Sequence, residues 1–199
     1  IPLLAFCAPM FLYAQISKEE HKGIYFETGT FAEILEKAKK ENKIIMMDAF
    51  TTWCGPCKWM AKEIFPNDTV AGFYNKNFIN AGIDMEKGEG IDLAKKYEVG
   101  CYPTFLFIDG DGELLHRKSS AMPAKNFVEL GADAMNPEKQ FASFRKKQDS
   151  GSASPADIIQ YMTMRSHSCM SVADELAKYF SAQKEEELTN RQNWSVLRD

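Results

Sequence analysis

Cys54 and Cys57, in the run Trp53-Cys54-Gly55-Pro56-Cys57, are the residues of this chain best equipped for chemistry. Spacing i, i+3 at the start of a helix brings two thiols onto one face, within reach of a disulfide. Free N–H groups and the helix dipole favour a thiolate at Cys54, expected to be the more exposed sulfur. Cys57, one turn deeper, would attack a mixed disulfide and release the product. Pro56 fits an early helical position, where no hydrogen bond is lost. Zinc sites use the same spacing, but they need two further ligands as another close pair. Cys101 and Cys169 stand alone, and His21, His116 and His167 are scattered. The nearest half-site is His167-Ser168-Cys169, so no metal is expected, and each lone histidine reads as a surface or satisfied core residue.

The elements that must position this pair are legible as hydrophobic pattern. Lys43–Phe50 is a short apolar run typical of a strand buried on both faces, and it leads through Thr51 and Thr52 into the cysteines. Lys58–Ile64 reads as helix, Phe65-Pro66-Asn67-Asp68 breaks it, and Thr69–Tyr74 restarts one. Upstream, Thr30 and Glu33 form a capping box for a helix carrying Phe31, Ile34, Leu35 and Ala38. Phe78–Met85 is a second buried strand, and strand, helix and strand in this order make a right-handed crossover. Ile91–Tyr97 is helical, Thr104–Ile108 is a strand after Pro103, and Asp109-Gly110-Asp111-Gly112 turns into a fourth strand over Glu113–Arg117. Ala124–Ala134 is a helix stopped at Asn136-Pro137.

Beyond Pro137 the pattern is helical only. Phe141 and Phe144 mark one helix, and Asp149–Ser154 is a joint. Ser154 caps a helix with Pro155 at its first position and Ile158, Ile159 and Met162 on its face. Ser171 caps another carrying Val172, Leu176, Tyr179 and Phe180. These faces are expected to bury against each other. Glu185-Glu186-Glu187 reads as a solvated face, and Asn193–Leu197 as the opening of a further helix. Cys169 is expected to be packed core.

Net charge −4 offers no basic field for nucleic acid. Ile1–Ala14 is uncharged and apolar, like the core and cleavage region of a secretory signal peptide ending at Ala14. Cys7 would leave with that segment. The domain reading is therefore residues 1–14 as a partial signal, 15–136 as an α/β domain, and 137–199 as an all-α extension.

The run from Phe50 to Lys58, followed by Tyr102-Pro103-Thr104, resembles the thioredoxin superfamily, and most of all exported bacterial members with a helical C-terminal extension. The resemblance covers Lys22–Ala134. It implies an α/β three-layer fold around a central mixed β-sheet. It also implies protein-disulfide exchange with Cys54 as nucleophile, Cys57 as resolving thiol and Asp48 as the buried acid that accepts the Cys57 proton. Pro103 would be a cis-proline facing the disulfide, and Trp53, Gly55, Pro56, Tyr102 and Pro103 would line the substrate site. Two departures stand out: Asn80 appears where the family often sets a lysine against the acid, and Lys62 stands where a proline often bends the helix. Cys101 is expected near the groove or as an inert, partly buried thiol.

Gly-Pro between the cysteines is the dipeptide of strongly reducing members, so the expected function is an exported, periplasmic protein-disulfide reductase. It would need no cofactor, would act on protein disulfides and would draw electrons from a membrane or soluble thiol donor. An oxidase or isomerase is the alternative within the same chemistry. A partner-binding module recruited through the helical extension is the alternative outside it.

Overall fold

The protein is described by a computed structural model covering residues 22–181. The signal-like segment 1–14, His21, Glu185-Glu186-Glu187 and the helix expected at Asn193–Leu197 lie outside the described residues. Helix α1 (Phe31–Glu41) precedes strand β1 (Ile44–Phe50), and its Thr30–Glu33 capping box forms as the sequence predicts. Helix α2 (Gly55–Trp59) follows and runs into a single π-helical turn, Met60–Ile64. In that turn the Phe65 N–H reaches back to Met60 O at 2.9 Å. A wider turn thus stands where the family's proline is missing, with Lys62 exposed on it. Helix α3 (Asp68–Asn77) restarts at once because Asn67, part of the break, caps it by accepting from the Thr69 and Val70 amides.

Strand β2 (Phe78–Asp84), helix α4 (Gly90–Lys96), strands β3 (Thr104–Ile108) and β4 (Leu114–Ser119), and helix α5 (Ala124–Ala134) complete the α/β part. The sheet order is β2-β1-β3-β4, with β1 and β2 parallel and the other pairs antiparallel. The expected central mixed sheet between helical layers is therefore present. Side chains alternate along β1. Ile45, Met47 and Ala49 join the core beneath α1 and α4. Met46 joins the aromatic core of Phe65, Tyr74, Phe105, Phe107 and Phe127 on the opposite face. Asp48 falls on that second face, opposite Phe105 of β3.

Helices α6 (Phe141–Asp149), α7 (Pro155–Ser166) and α8 (Ala173–Ser181) form the extension. Its burial differs from expectation. The rings of Phe141 and Tyr161 do pack on each other, with centroids 5.2 Å apart. Both residues, however, also belong to the core under the sheet. The Phe141 N–H donates to Nδ1 of buried His116 on β4 at 3.2 Å. The apolar faces of α6 and α7 needed more cover than two short helices offer each other, and the sheet supplies it.

The cysteines bring a second correction. Cys169 is not packed core but exposed, and it forms a disulfide with half-buried Cys101. The bond closes a loop with a sequence separation of 68, which constrains the unfolded chain by roughly 4 kcal/mol in the loop-entropy picture. Because Phe141 is core, Phe141→Ala should destabilise the α/β part itself, by about 3–5 kcal/mol. Urea unfolding of a Trp194→Phe background, read by Trp53 and Trp59 fluorescence, checks this. An unshifted midpoint would show that the extension does not support the sheet.

Candidate functional site

The cysteine turn forms where β1 ends and α2 begins. Cys54 is the N-cap of α2, with extended backbone (φ −67, ψ 107), and its sulfur accepts the Cys57 N–H at 3.0 Å. Pro56 occupies the first turn. The two cysteines form a disulfide with Cα atoms 5.3 Å apart. One expectation fails: Cys54 is not the more exposed of the two, since both are covered, at 2% and 5% exposure. The open surface belongs instead to Trp53, 64% exposed, and to Gly55 and Pro56.

Trp53 is held from two sides. Its indole N–H donates to Glu86 Oε2 at 2.9 Å, and its ring meets Tyr102 edge-on with centroids 5.9 Å apart. The Tyr102–Pro103 peptide is cis, and the ring contact brings it alongside the cysteine turn. Asp84 stands nearby, its carboxyl held below the usual range by the Glu86 N–H and then by Lys87. The Tyr102 phenol is pushed up by partial burial and further by the Glu86 and Asp84 carboxylates. The rim is thus aromatic and acidic. Glu86 escaped the sequence reading, although an acid just past the end of β2 was the available signal.

Beneath the pair lies Asp48. It is 6% exposed, and its Oδ1 has no hydrogen-bond partner among the described residues. Burial pushes its carboxyl up to about 7, because the charged form is cut off from water. The strand register sets Gly82, rather than Asn80, across from Asp48. Asn80 pairs with Met46 and donates its amide to Tyr25 O and Asn75 Oδ1. No cation is therefore set against the acid from β2. In its place a cleft of about 490 Å³ opens, lined by aromatic and small residues including Phe26, Phe50, Phe65 and Gly82. Asp48 and Cys57 both line it, with Lys58 beside them.

Chemically, this arrangement can hold a thiolate at a helix N-terminus, keep a second sulfur behind it, and provide a carboxyl able to exchange protons near neutral pH. The matching family model, a thioredoxin-like domain, spans residues 31–134 and so includes the cysteine turn, Asp48 and Pro103. The chain belongs to the thioredoxin-like family. It is 34% identical over 96 residues to thioredoxin-2 of Pyricularia oryzae, covering 48% of this chain and 52% of that one. It is 30% identical over 110 residues to the chloroplastic thioredoxin Y of Oryza sativa, covering 55% of this chain and 60% of that one. The chain thus spans a little over half the length of these curated relatives. Among solved structures, a proposed disulphide-isomerase from Bacteroides thetaiotaomicron matches at 43% identity and TM-score 0.54, covering 58% of this chain and 95% of that one. A Thermus thermophilus thioredoxin shares the fold at 22% identity and TM-score 0.50, covering 58% of this chain and 90% of that one.

Asp48 and His116 make opposed contributions to stability. Asp48 binds its proton more tightly when folded, so stability falls as pH rises from about 4 to 7, by roughly 4 kcal/mol in all. His116 is pushed down to about 4, chiefly by burial, so it resists protonation and stability rises with pH between about 4 and 6.5. The two should offset each other across that window and leave a shallow profile. In Asp48→Asn the His116 slope should stand alone, with stability rising from pH 4 to 6.5 and a gain over the parent at pH 8. In His116→Asn stability should instead fall with pH. Denaturant midpoints at pH 4.5, 6.5 and 8 check both, and equal slopes in all three proteins would remove both groups from the account.

Proposed function

We propose that this chain is a protein-disulfide reductase. Cys54 attacks the substrate disulfide, Cys57 resolves the mixed disulfide, and Asp48 accepts the Cys57 proton. Trp53, Gly55, Pro56, Tyr102 and Pro103 form the surface that receives the substrate. The observation that carries the direction is the bond between Trp53, next to Cys54, and the Glu86 carboxylate. Gly55-Pro56 places no cation between the cysteines, and Trp53, next to Cys54, is tied to the carboxylate of Glu86. Apart from Lys58, which follows Cys57 and lines the same cleft, the helix terminus is what stabilises a Cys54 thiolate, and the Glu86 carboxylate opposes it. A less stabilised thiolate favours loss of electrons, hence reduction of the substrate.

Electrons would come from a membrane or soluble thiol donor, and no cofactor is needed for the exchange. An exported, periplasmic setting is supported by the signal-like pattern of Ile1–Ala14. The Cys101–Cys169 bond adds to this, because such bonds persist in oxidising compartments. Residues 15–136 would perform the exchange, and residues 137–199 would form a helical extension open to a protein partner. A second reading, disulfide isomerisation, is favoured by the 43% identity to the proposed Bacteroides disulphide-isomerase.

Two experiments separate these. Cys57→Ser should accumulate a mixed disulfide with a protein substrate through Cys54, identified by peptide mass mapping, and linkage through Cys101 or Cys169 would overturn the roles. With dithiothreitol as donor, the parent chain should cleave a protein's native disulfides faster than it restores activity to a scrambled one. The reverse order would establish the isomerase.

A further inference from the structure

The Cys101–Cys169 disulfide takes no part in the exchange at Cys54 and Cys57, and its surroundings differ from those of a buried staple. Cys169 is an exposed residue, unlike the covered Cys54 and Cys57. Its backbone sits at φ 55, in the left-handed region that disfavours residues bearing a Cβ. It ends the turn after α7, which docks on the α/β part through a bond from Ser119 N to His167 O. Its partner Cys101 is half-buried. Cys101 adjoins Tyr102, whose ring braces Trp53, and stands two residues before cis Pro103. The start of the same loop is held by buried Arg117, whose guanidinium donates to Tyr97 O and Glu98 O at 2.6 and 3.0 Å. The loop bearing Tyr102 is therefore anchored at one end by a buried arginine and at the other by the disulfide to exposed Cys169 and a bond from Thr104 Oγ1 to Cys101 O at 2.7 Å.

We propose that Cys101–Cys169 is a second redox-active disulfide, opened by thiols at Cys169, whose state sets how firmly the Tyr102 loop is held beside the Cys54–Cys57 pair. The thiol class is a small monothiol of the glutathione type or a dithiol donor. A thiolate bonds to Cys169 Sγ, the bond to Cys101 breaks, and Cys101 leaves as a thiolate that takes a proton from solvent. A second thiolate then attacks the donor's sulfur in the mixed disulfide, and Cys169 leaves and is protonated. The protein gains two electrons and two thiols, and the two donor thiols become one disulfide. Solvent-exposed disulfides belong to the labile class. Phe141 and Tyr161 keep α6 and α7 on the sheet, so the change stays within the turn after α7 and the loop before Pro103. This inference is independent of the direction in which the Cys54–Cys57 pair runs.

The test uses the full chain with Cys7, Cys54 and Cys57 replaced by serine, treated with glutathione without denaturant, alkylated and mapped by mass spectrometry. The expected product carries glutathione on Cys169 and the alkyl group on Cys101, with the circular dichroism spectrum retained. A bond that opens only in denaturant is a structural staple and overturns the proposal; an adduct on Cys101 overturns the assignment of the attacked sulfur. In a second arm, Cys101→Ser/Cys169→Ser with the active pair intact should raise KM for a protein disulfide several-fold relative to KM for a small aromatic disulfide. An unchanged ratio would separate this bond from the groove. Should that variant fail to fold, the glutathione arm alone decides.

Discussion

Strand β1 runs through the middle of the sheet with β2 on one side and β3 on the other, and its last turn of alternation places a carboxyl, Asp48, inside an aromatic core. Its strand neighbours there are apolar or small, Phe105 across the β3 pairing and Gly82 across the β2 pairing, with Phe65 at the end of the helical run and Lys58 at the cleft. A charge there is costly, so the acid holds its proton to about neutral pH. That constraint ties the fold to the site. The same strand end that buries Asp48 releases the chain into the cysteine turn, so acid and thiols are aligned by one element rather than gathered from several.

Around this axis the electrostatics are asymmetric. Inside, Asp48 faces a cleft and has no cation set against it from β2. Outside, the N-terminus of α2 supplies positive partial charge to Cys54 through the Cys57 N–H, while Glu86 and Asp84 line the rim near Trp53 and Tyr102. The helix favours a thiolate and the rim disfavours it. Arg117 plays a quieter part: buried and pushed down to about 10 mainly by that burial, it holds the carbonyls that lead into the Tyr102 loop.

Much of this was readable from residue types. The buried strands, the Thr30 capping box, the Ser154 cap and the Asp109–Gly112 turn declare themselves through local pattern, which depends on neighbours within one turn or one strand. Tyr102, Pro103 and Asp48 needed the family resemblance, because their proximity to the cysteines is created by the sheet and not by spacing. What stayed hidden was non-local. The burial of Phe141 under the sheet and the anchoring of Trp53 by Glu86 join segments that no short window contains. The Cys101–Cys169 bond left a faint signal, two cysteines remaining in a chain read as exported, but pairing across 68 positions cannot be told from two inert thiols by sequence. The π turn after α2 had its trace in the missing proline at Lys62.

A helix terminus opposed by a carboxylate rim should leave the Cys54–Cys57 pair a reductant. Equilibration of the full chain with glutathione buffers, followed by alkylation and mass mapping of Cys54 and Cys57, measures that directly. The account predicts a reduction potential close to that of thioredoxin, about −270 mV. A potential above about −180 mV, in the range of isomerases and oxidants, would contradict it.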